Sequence, residues 1–227
     1  MGTIAQNLAL VNEKIALAAQ KSGRKREDIT LVAVSKTKPM DMVLDAFGAG
    51  QADFGENRVQ ELMEKQPQLC GARWHLIGHL QTNKVKYVLD KACLVHSVDS
   101  LRLAEEISKR AKAQSLVCPV LLEINVSGEQ SKFGLTIDET PYIIEKIEEL
   151  ENIKVKGLMT VAPKAENGGD VRYVFERLRA LYERLGAGGF QNTQMQFLSM
   201  GMSGDFEAAI LEGSNMVRVG SAIFGSR

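Results

Sequence analysis

The sequence lacks the features that would place it in a membrane, in an oxidising compartment or on nucleic acid. Its three cysteines, Cys70, Cys93 and Cys118, are too few and too widely spaced for a disulfide framework or a Cys-x-x-Cys zinc site. No apolar run approaches the roughly 20 residues that span a bilayer, and Glu13 and Lys14 interrupt the N-terminal stretch where a signal peptide would be apolar. The 28 basic residues are balanced by 28 acidic ones, so no bulk positive charge attracts nucleic acid. These absences predict a reduced, cytoplasmic protein.

Short apolar strand patterns alternate with amphipathic helix patterns along the whole chain. Predicted strands begin near residues 31, 52, 73, 94, 117, 155, 196 and 216, and seven helix patterns separate them. A further helix, with Leu8, Val11 and Ile15 on one face, precedes the first strand. Parallel strands need crossover helices, and eight such units close into a barrel. We therefore predict an α/β fold over residues 1–227, a single-domain (β/α)8 TIM barrel with an additional N-terminal helix. An open doubly wound sheet is the alternative.

The end of the first strand carries a lysine. Binding sites of TIM barrels lie at the carboxyl ends of the strands. Side chains alternate along a strand, so Val32, Val34 and Lys36 share one face. If that face is the interior, Lys36 enters the barrel mouth, where loss of hydration favours the neutral amine, a nucleophile toward carbonyls. The alternative is a strand-end lysine that extends its amine into solvent.

Two glycine- and serine-containing loops follow the last two predicted strands, at residues 199–205 and 218–225. Loops at these positions of a TIM barrel often bind phosphate. Glycine lets the backbone approach an anion closely, and the N–H groups at a helix start can bind it. Ser203 is also a good N-cap for the helix that follows, so ordinary turn and capping chemistry remains the alternative.

Arg218, in the last strand, alternates with Val217 and Val219 and so lies on a different face from those valines. A guanidinium inside a barrel mouth requires acceptors. These acceptors are either the heteroatoms of a ligand or a glutamate from a neighbouring strand, such as Glu123 or Glu56.

Three further positions have weaker support. Asn57 follows the second strand and could reach the mouth, or it could be a helix N-cap. His75 and His79 are four residues apart with Cys70 nearby. The segment between the histidines reads as strand and loop, not as the helix that usually presents His-x-x-x-His to zinc, so we predict no metal site.

Five segments taken together resemble the pyridoxal phosphate homeostasis proteins. They are residues 33–39 (AVSKTKP), 54–60 (FGENRVQ), 74–81 (WHLIGHLQ), 198–203 (LSMGMS) and 217–225 (VRVGSAIFG). The resemblance covers nearly the whole chain. It implies a barrel similar to the N-terminal domain of bacterial alanine racemase, with pyridoxal 5′-phosphate as its cofactor.

The resemblance also implies a set of cofactor-binding residues: Lys36, Asn57, Met200, Ser203, Arg218, Gly220 and Ser221. Lys36 would hold the cofactor as a Schiff base, Arg218 would face the pyridine nitrogen, and Asn57 would lie beside the ring. Gly220 and Ser221, near Met200 and Ser203, would hold the phosphate. Relatives can have threonine where this chain has Ser221, and serine keeps the hydroxyl.

The family is linked to vitamin B6 balance and to amino-acid and keto-acid metabolism. We therefore expect a monomeric carrier of pyridoxal phosphate, with dependent apoenzymes as partners and no robust catalysis. A cation opposite the pyridine nitrogen keeps it unprotonated and makes the ring a poor electron sink. We also expect no second domain after Arg227 to supply the racemase's tyrosine base, and none of the four tyrosines at a strand's carboxyl end. The alternatives are a pyridoxal phosphate-dependent racemase or lyase, or a Schiff-base aldolase acting on a sugar phosphate.

Overall fold

Eight parallel strands close into a barrel in this computed structural model, which describes residues 2–129, 132–163 and 171–225; Arg227 lies outside these ranges. Each strand pairs with the next, and the eighth pairs with the first. The strands are β1 Thr30–Val34, β2 Asp53–Glu56, β3 Arg73–Leu76, β4 Leu94–Val98, β5 Cys118–Glu123, β6 Ile153–Met159, β7 Thr193–Ser199 and β8 Met216–Val219. The predicted (β/α)8 barrel is confirmed, and the doubly wound sheet is wrong.

Helices cover the outside of the barrel. They are α1 Ile4–Lys21, α2 Met40–Gly48, α3 Val59–Lys65, α4 Leu101–Ala113, α5 Thr140–Glu148, α6 Arg172–Gly186, α7 Phe206–Leu211 and α8 Ser221–Phe224. The crossover from β3 to β4 is a 3-10 helix, Thr82–Tyr87, where the sequence predicted an ordinary helix. No helix in the described ranges is long and apolar enough to cross a membrane.

The N-terminal helix α1 packs against the two last helices of the chain. Thr3 caps it in a capping box with Gln6, and its buried face includes Leu8, Val11 and Ile15, as the periodicity predicted. It contacts α7 and the short α8, and Asn7 donates a hydrogen bond to the Ile223 carbonyl. Because α8 is only one turn long, α1 occupies much of the outer surface that a long eighth helix would cover.

The interior of the barrel has an apolar layer with polar side chains beside it. Val32, Leu94, Leu121, Met159 and Met216 form a buried cluster separate from the larger core between strands and helices. This confirms that the Val32 face of β1 is the interior. By alternation, the inward residues two positions further along β4, β5 and β8 are His96, Glu123 and Arg218, which all lie nearer the mouth.

Gly157 on β6 provides a test of the strand register. Its φ is +143°, and a Cβ there would lie 1.8 Å from the Phe197 carbonyl oxygen on β7. We expect Gly157→Ala to lower the free energy of unfolding by about 2–4 kcal/mol, because β6 must move away from β7. The matched control is Gly48→Ala, at the end of α2 with no atom within 4 Å of the added Cβ, which should change it by less than about 1 kcal/mol. Urea denaturation measures both, and equal effects would contradict the register.

Candidate functional site

The carboxyl ends of β1, β7 and β8 lie side by side at the barrel mouth. In the register, Ala33 of β1 is opposite Val219 of β8, so the segments that continue to Lys36 and Gly220 leave the sheet next to each other. Their backbones come close, because a Cβ on Gly220 would lie 3.1 Å from the Val34 carbonyl oxygen. Lys36 is half-buried there. The structure therefore brings the predicted lysine to the same edge as the predicted phosphate loop.

Ser203 connects the loop after β7 to the start of α8. Its Oγ accepts hydrogen bonds from the backbone N–H groups of Gly220, at 3.1 Å, and Ala222, at 3.5 Å. The alternative that Ser203 caps the following helix is wrong, because α7 begins at Phe206 with Asp205 at the N-cap. Ser221, the first residue of α8, is exposed. Two serine hydroxyls and a helix start thus lie within one short stretch of the mouth.

Met200 lies at the same strand end but is directed elsewhere. Its side chain is fully buried in the large core cluster between strands and helices. Its N–H donates to the Met216 carbonyl, and its own carbonyl accepts from the Ser214 hydroxyl. The Met200 side chain therefore belongs to the core, and only the backbone of Met200 borders the predicted phosphate loop.

Arg218 is a buried cation held by neutral acceptors. One nitrogen of its guanidinium, Nη1, donates to Ser199 Oγ at 2.7 Å, and the other, Nη2, donates to the Thr160 carbonyl at 2.8 Å. In the described ranges no carboxylate lies within 4 Å of it. Burial lowers the pKa of Arg218 to about 10, partly offset by Glu123 and Asp205, so the group stays protonated at neutral pH. With five N–H donors on a guanidinium, capacity remains for a ligand.

The two glutamates proposed as partners of Arg218 do not form a contact ion pair with it. Glu56 is directed away from the interior and pairs with Lys65 of α3. Glu123 interacts with Arg218 only through space. Burial, reinforced by Asp99, raises the pKa of Glu123 to about 7 despite the opposing effect of Arg218. One sequence feature indicates that Glu123 has an unusual environment, because it is an acidic residue within an otherwise apolar strand.

A buried ionic cluster fixes the turn that carries Lys36. Ser35 Oγ donates to Glu56 Oε1 at 2.7 Å, and Lys65 Nζ donates to the Ser35 carbonyl at 2.8 Å and to Glu56 Oε1 at 2.7 Å. The Thr37 N–H donates to Glu61 Oε2 at 2.6 Å. Thr37 has a φ of +62°, the left-handed region that is rare for threonine. Residues on both sides of Lys36 are therefore held by α3 and the end of β2, a constraint that sequence periodicity does not show.

Asn57 presents a buried acceptor without a partner. Its Oδ1 is shielded from solvent and makes no hydrogen bond in the described structure. The alternative that Asn57 caps α3 is wrong, because the N-cap is Arg58. Gly78 after β3 packs against the Asn57 backbone, where a Cβ would lie 2.3 Å from the Asn57 carbonyl oxygen. An orphaned buried oxygen at a strand's carboxyl end is suited to a ligand's hydrogen-bond donor.

The histidines do not assemble a metal site in the described part of the chain. No group of three metal-ligating side chains is present there. His79 bonds Asp99 at 3.0 Å and stacks on Phe133 with ring centroids 4.0 Å apart. His75 lies inside the barrel and bonds His96 and Asp53.

Comparisons with known proteins find relatives over nearly the whole chain. Residues 7–227 match the sequence model of the family described as alanine racemase, N-terminal domain. The chain is 43% identical to the pyridoxal phosphate homeostasis protein of Aquifex aeolicus, over 98% of this chain and 97% of that one. It is 41% identical to the protein of the same name from Escherichia coli K12, over 100% and 98%.

Solved structures share the fold. PipY of Synechococcus elongatus, with pyridoxal phosphate bound, is 30% identical, with a TM-score of 0.83 over 98% of this chain and 100% of that one. A protein of unknown function from Bifidobacterium adolescentis is 38% identical, with a TM-score of 0.92 over 97% and 94%. Alanine racemase of Clostridium difficile is 18% identical with a TM-score of 0.75, and this chain covers 57% of it, so that likeness shows the fold alone.

The cluster that fixes the Lys36 turn predicts a large cost for removing its cation. We expect Lys65→Met to lower the free energy of unfolding by about 3 kcal/mol, because the buried Glu56 carboxylate loses its counterion. Burial raises the pKa of Glu56, opposed by its bonds to Lys65 and Ser35. Without Lys65 that pKa rises further, so the loss should be greater at pH 8 than at pH 5, where Glu56 takes up a proton.

The matched control is Lys14→Met, because Lys14 pairs with Glu207 on the surface and both side chains are more than half exposed. Its effect should stay below about 1 kcal/mol at either pH. Urea denaturation at the two pH values measures both variants. A Lys65→Met effect no larger than that of Lys14→Met would show that the cluster does not hold the turn.

Proposed function

The chain belongs to the family of pyridoxal phosphate homeostasis proteins, and we propose that it binds pyridoxal 5′-phosphate covalently through Lys36 and helps to keep the supply of this cofactor in balance. The observation that carries the proposal is the convergence of Lys36, Arg218 and the Ser203–Gly220 connection at one barrel mouth. A relative that matches the chain over its full length, PipY, has been solved with pyridoxal phosphate bound.

The residues present fit this group chemically. The cofactor has a dianionic phosphate, an aromatic nitrogen that accepts hydrogen bonds, and ring substituents that donate or accept them. The chain offers the hydroxyls of Ser203 and Ser221 at the last two loops, unused guanidinium donors on Arg218, and the orphaned Oδ1 of Asn57. Each chemical feature of the cofactor has a complementary group at the mouth.

Lys36 is the proposed point of attachment. Bound cofactor supplies an aldehyde that reacts with amines. The Lys36 amine adds to the aldehyde carbon and a water molecule leaves, which gives the Schiff base. Because Ser35 and Thr37 are both hydrogen-bonded to the α3 cluster, the chain holds the start of the Lys36 side chain in one place.

The phosphate is proposed to bind between Ser203, Gly220 and Ser221. Ser203 Oγ already accepts from two backbone N–H groups, which orients its own hydroxyl hydrogen outward as a donor. N–H groups at the start of a helix add a favourable partial charge. These groups determine where the anion lies and so set the distance from Lys36.

Arg218 accounts for the expectation of weak catalysis. Its guanidinium donates to an acceptor nitrogen and, as a permanent cation, disfavours a proton there. This lessens the ability of the ring to accept electrons from a bound amino acid.

All four tyrosines lie on connecting helices: Tyr87 at the end of a 3-10 helix, Tyr142 on α5, and Tyr173 and Tyr182 on α6. None lies at the carboxyl end of a strand, where the mouth residues are. We propose a carrier that binds and releases the cofactor to dependent apoenzymes.

Covalent attachment is tested by reduction with borohydride. In protein saturated with pyridoxal phosphate, the stable adduct should be found on the tryptic peptide that contains Lys36. Lys36→Arg, which keeps the charge but has no primary amine, should abolish the adduct and the visible absorbance. Lys14→Arg, on the outer helix α1, should retain both. An adduct confined to other lysines would contradict the proposal.

The carrier role is tested by incubating cofactor-loaded protein with a panel of L-amino acids. We expect no racemised, decarboxylated or cleaved product above the rate given by free pyridoxal phosphate, because Arg218 disfavours carbanion formation. Chiral chromatography and mass spectrometry measure the products. Sustained turnover of any amino acid that is lost in Lys36→Arg would instead establish the alternative function, a pyridoxal phosphate-dependent enzyme.

A further inference from the structure

A continuous chain of polar side chains crosses the barrel interior below the mouth. It begins at Arg218, whose Nη1 lies 2.7 Å from Ser199 Oγ, and continues from Ser199 Oγ to His96 Nδ1 at 3.2 Å. His96 Nε2 lies 2.9 Å from His75 Nδ1, and His75 Nε2 lies 3.0 Å from Asp53 Oδ1. All five residues are buried. The residues come from five strands, so the chain exists only when the barrel is closed.

Arg73 ends this chain of hydrogen bonds at the amino ends of the strands, on the other side of the barrel from the mouth. Its side chain is 61% exposed, and its Nε donates to Asp53 Oδ1 at 2.8 Å. Burial alone would raise the pKa of Asp53, but hydrogen bonds from His75 and Arg73 outweigh it and lower that pKa. Asp53 is therefore an ionised carboxylate at neutral pH, and an ionised carboxylate only accepts hydrogen bonds.

The acceptor at Asp53 determines the proton positions along the rest of the chain. His75 must carry its proton on Nε2 in order to donate to Asp53, so a neutral His75 accepts at Nδ1. His96 then donates from Nε2 and accepts at Nδ1. The Ser199 hydroxyl donates to that nitrogen, which leaves its oxygen lone pairs to accept from Arg218. With both imidazole rings neutral, only this arrangement of protons satisfies every contact.

The surroundings of His96 favour the neutral ring that this arrangement requires. Burial holds the pKa of His96 well below its usual range, and a positive charge on His75 or Arg218 acts in the same direction. The charged groups around the hydrogen-bonded chain are Asp53 and Arg73 on β2 and β3, Arg218 on β8, and Glu123 on β5 and Asp205 before α7, which both act on Arg218. A cationic His96 would donate at Nδ1 as well, so it would compete with Arg218 for the Ser199 oxygen and lie close to that cation.

We propose that His96, held in a single tautomer by His75 and Asp53, is a positioning residue for Arg218. It fixes the Ser199 hydroxyl so that a neutral acceptor holds the guanidinium. A carboxylate in contact would also hold Arg218 but would neutralise its charge. The neutral acceptor keeps the full positive charge directed at the ring nitrogen. This consequence rests on the proposed function, whereas the tautomer assignment does not.

The tautomers are tested first, in the cofactor-free protein. The whole sequence has only three histidines. Long-range proton–nitrogen NMR of protein labelled in the imidazole rings therefore gives three ring systems, and His79→Gln assigns one of them. We expect His96 to be neutral with its proton on Nε2 from pH 5 to pH 8, and His75 to carry a proton on Nε2. A cationic His96, or a proton on its Nδ1, would overturn the proposal whatever the protein binds.

Transmission along the chain is tested with Asp53→Asn. An amide can donate to His75 Nε2, so His75 is no longer fixed, and the signals of His96 should change although His96 does not touch residue 53. The matched control is Asp99→Asn, which removes the carboxylate bonded to His79 and should shift the His79 signals while those of His96 stay unchanged. Unchanged His96 signals in Asp53→Asn would overturn the proposal.

The effect on Arg218 is tested with two variants of His96. His96→Asn keeps an oxygen where Nδ1 accepts from Ser199, and His96→Leu removes it. We expect His96→Leu to raise the apparent Kd for pyridoxal phosphate by about tenfold or more, the cost of a misplaced hydrogen bond to a charged group, and to alter the pH dependence of the visible spectrum. His96→Asn should remain within about threefold of the parent protein.

Equal effects of the two variants, with both shown to be folded by circular dichroism, would overturn the positioning role. Failure of the parent protein to bind would overturn only the proposed function.

Discussion

The interior depends on a guanidinium that is buried inside the barrel and has no carboxylate of the described residues in contact. Burial of an uncompensated charge is costly unless hydrogen-bond acceptors surround it. The Ser199 hydroxyl and the Thr160 carbonyl supply those acceptors to Arg218. The Ser199 hydroxyl must in turn donate to an acceptor, which places His96 in the interior. The Ser199 hydroxyl and the His96 ring thus serve one buried cation, and the cation retains donors for a ligand at the mouth.

The closed parallel sheet determines which groups can reach that ligand. Pairing of β8 with β1 completes the barrel and brings the Lys36 turn next to Gly220, although 184 residues separate them in the chain. The Lys36 turn is then held from outside the barrel, where Lys65 of α3 bonds Glu56 and the Ser35 carbonyl. The site therefore has two supports, a hydrogen-bonded chain with a neutral acceptor under Arg218 and an ionic cluster behind Lys36. The hydrogen-bonded chain leaves the positive charge of Arg218 available at the mouth. The charges of the cluster behind Lys36 stay between the strands and helix α3.

The sequence predicts the barrel and much of the site because both depend on local patterns. Alternating strand and helix periods give the fold, and the strand-end rule selects Lys36, Arg218 and the last two loops. The sequence does not predict contacts that depend on how neighbouring strands are aligned. Helix capping by Ser203 and Asn57 is locally plausible but wrong, because Ser203 bonds α8 and Asn57 precedes the true N-cap. His75 and His96 are 21 residues apart and each reads as an isolated polar residue in a strand. Only closure of the barrel brings them within hydrogen-bond distance.

The account is tested most directly by a crystal structure of the protein grown with pyridoxal 5′-phosphate. We predict continuous electron density from Lys36 Nζ to the cofactor, the pyridine nitrogen within hydrogen-bond distance of the Arg218 guanidinium, and the phosphate against Ser203 and Gly220. Arg218 should keep its bonds to Ser199 and Thr160. A cofactor that leaves Lys36 unmodified, or that places its phosphate rather than its ring nitrogen on Arg218, would contradict the account.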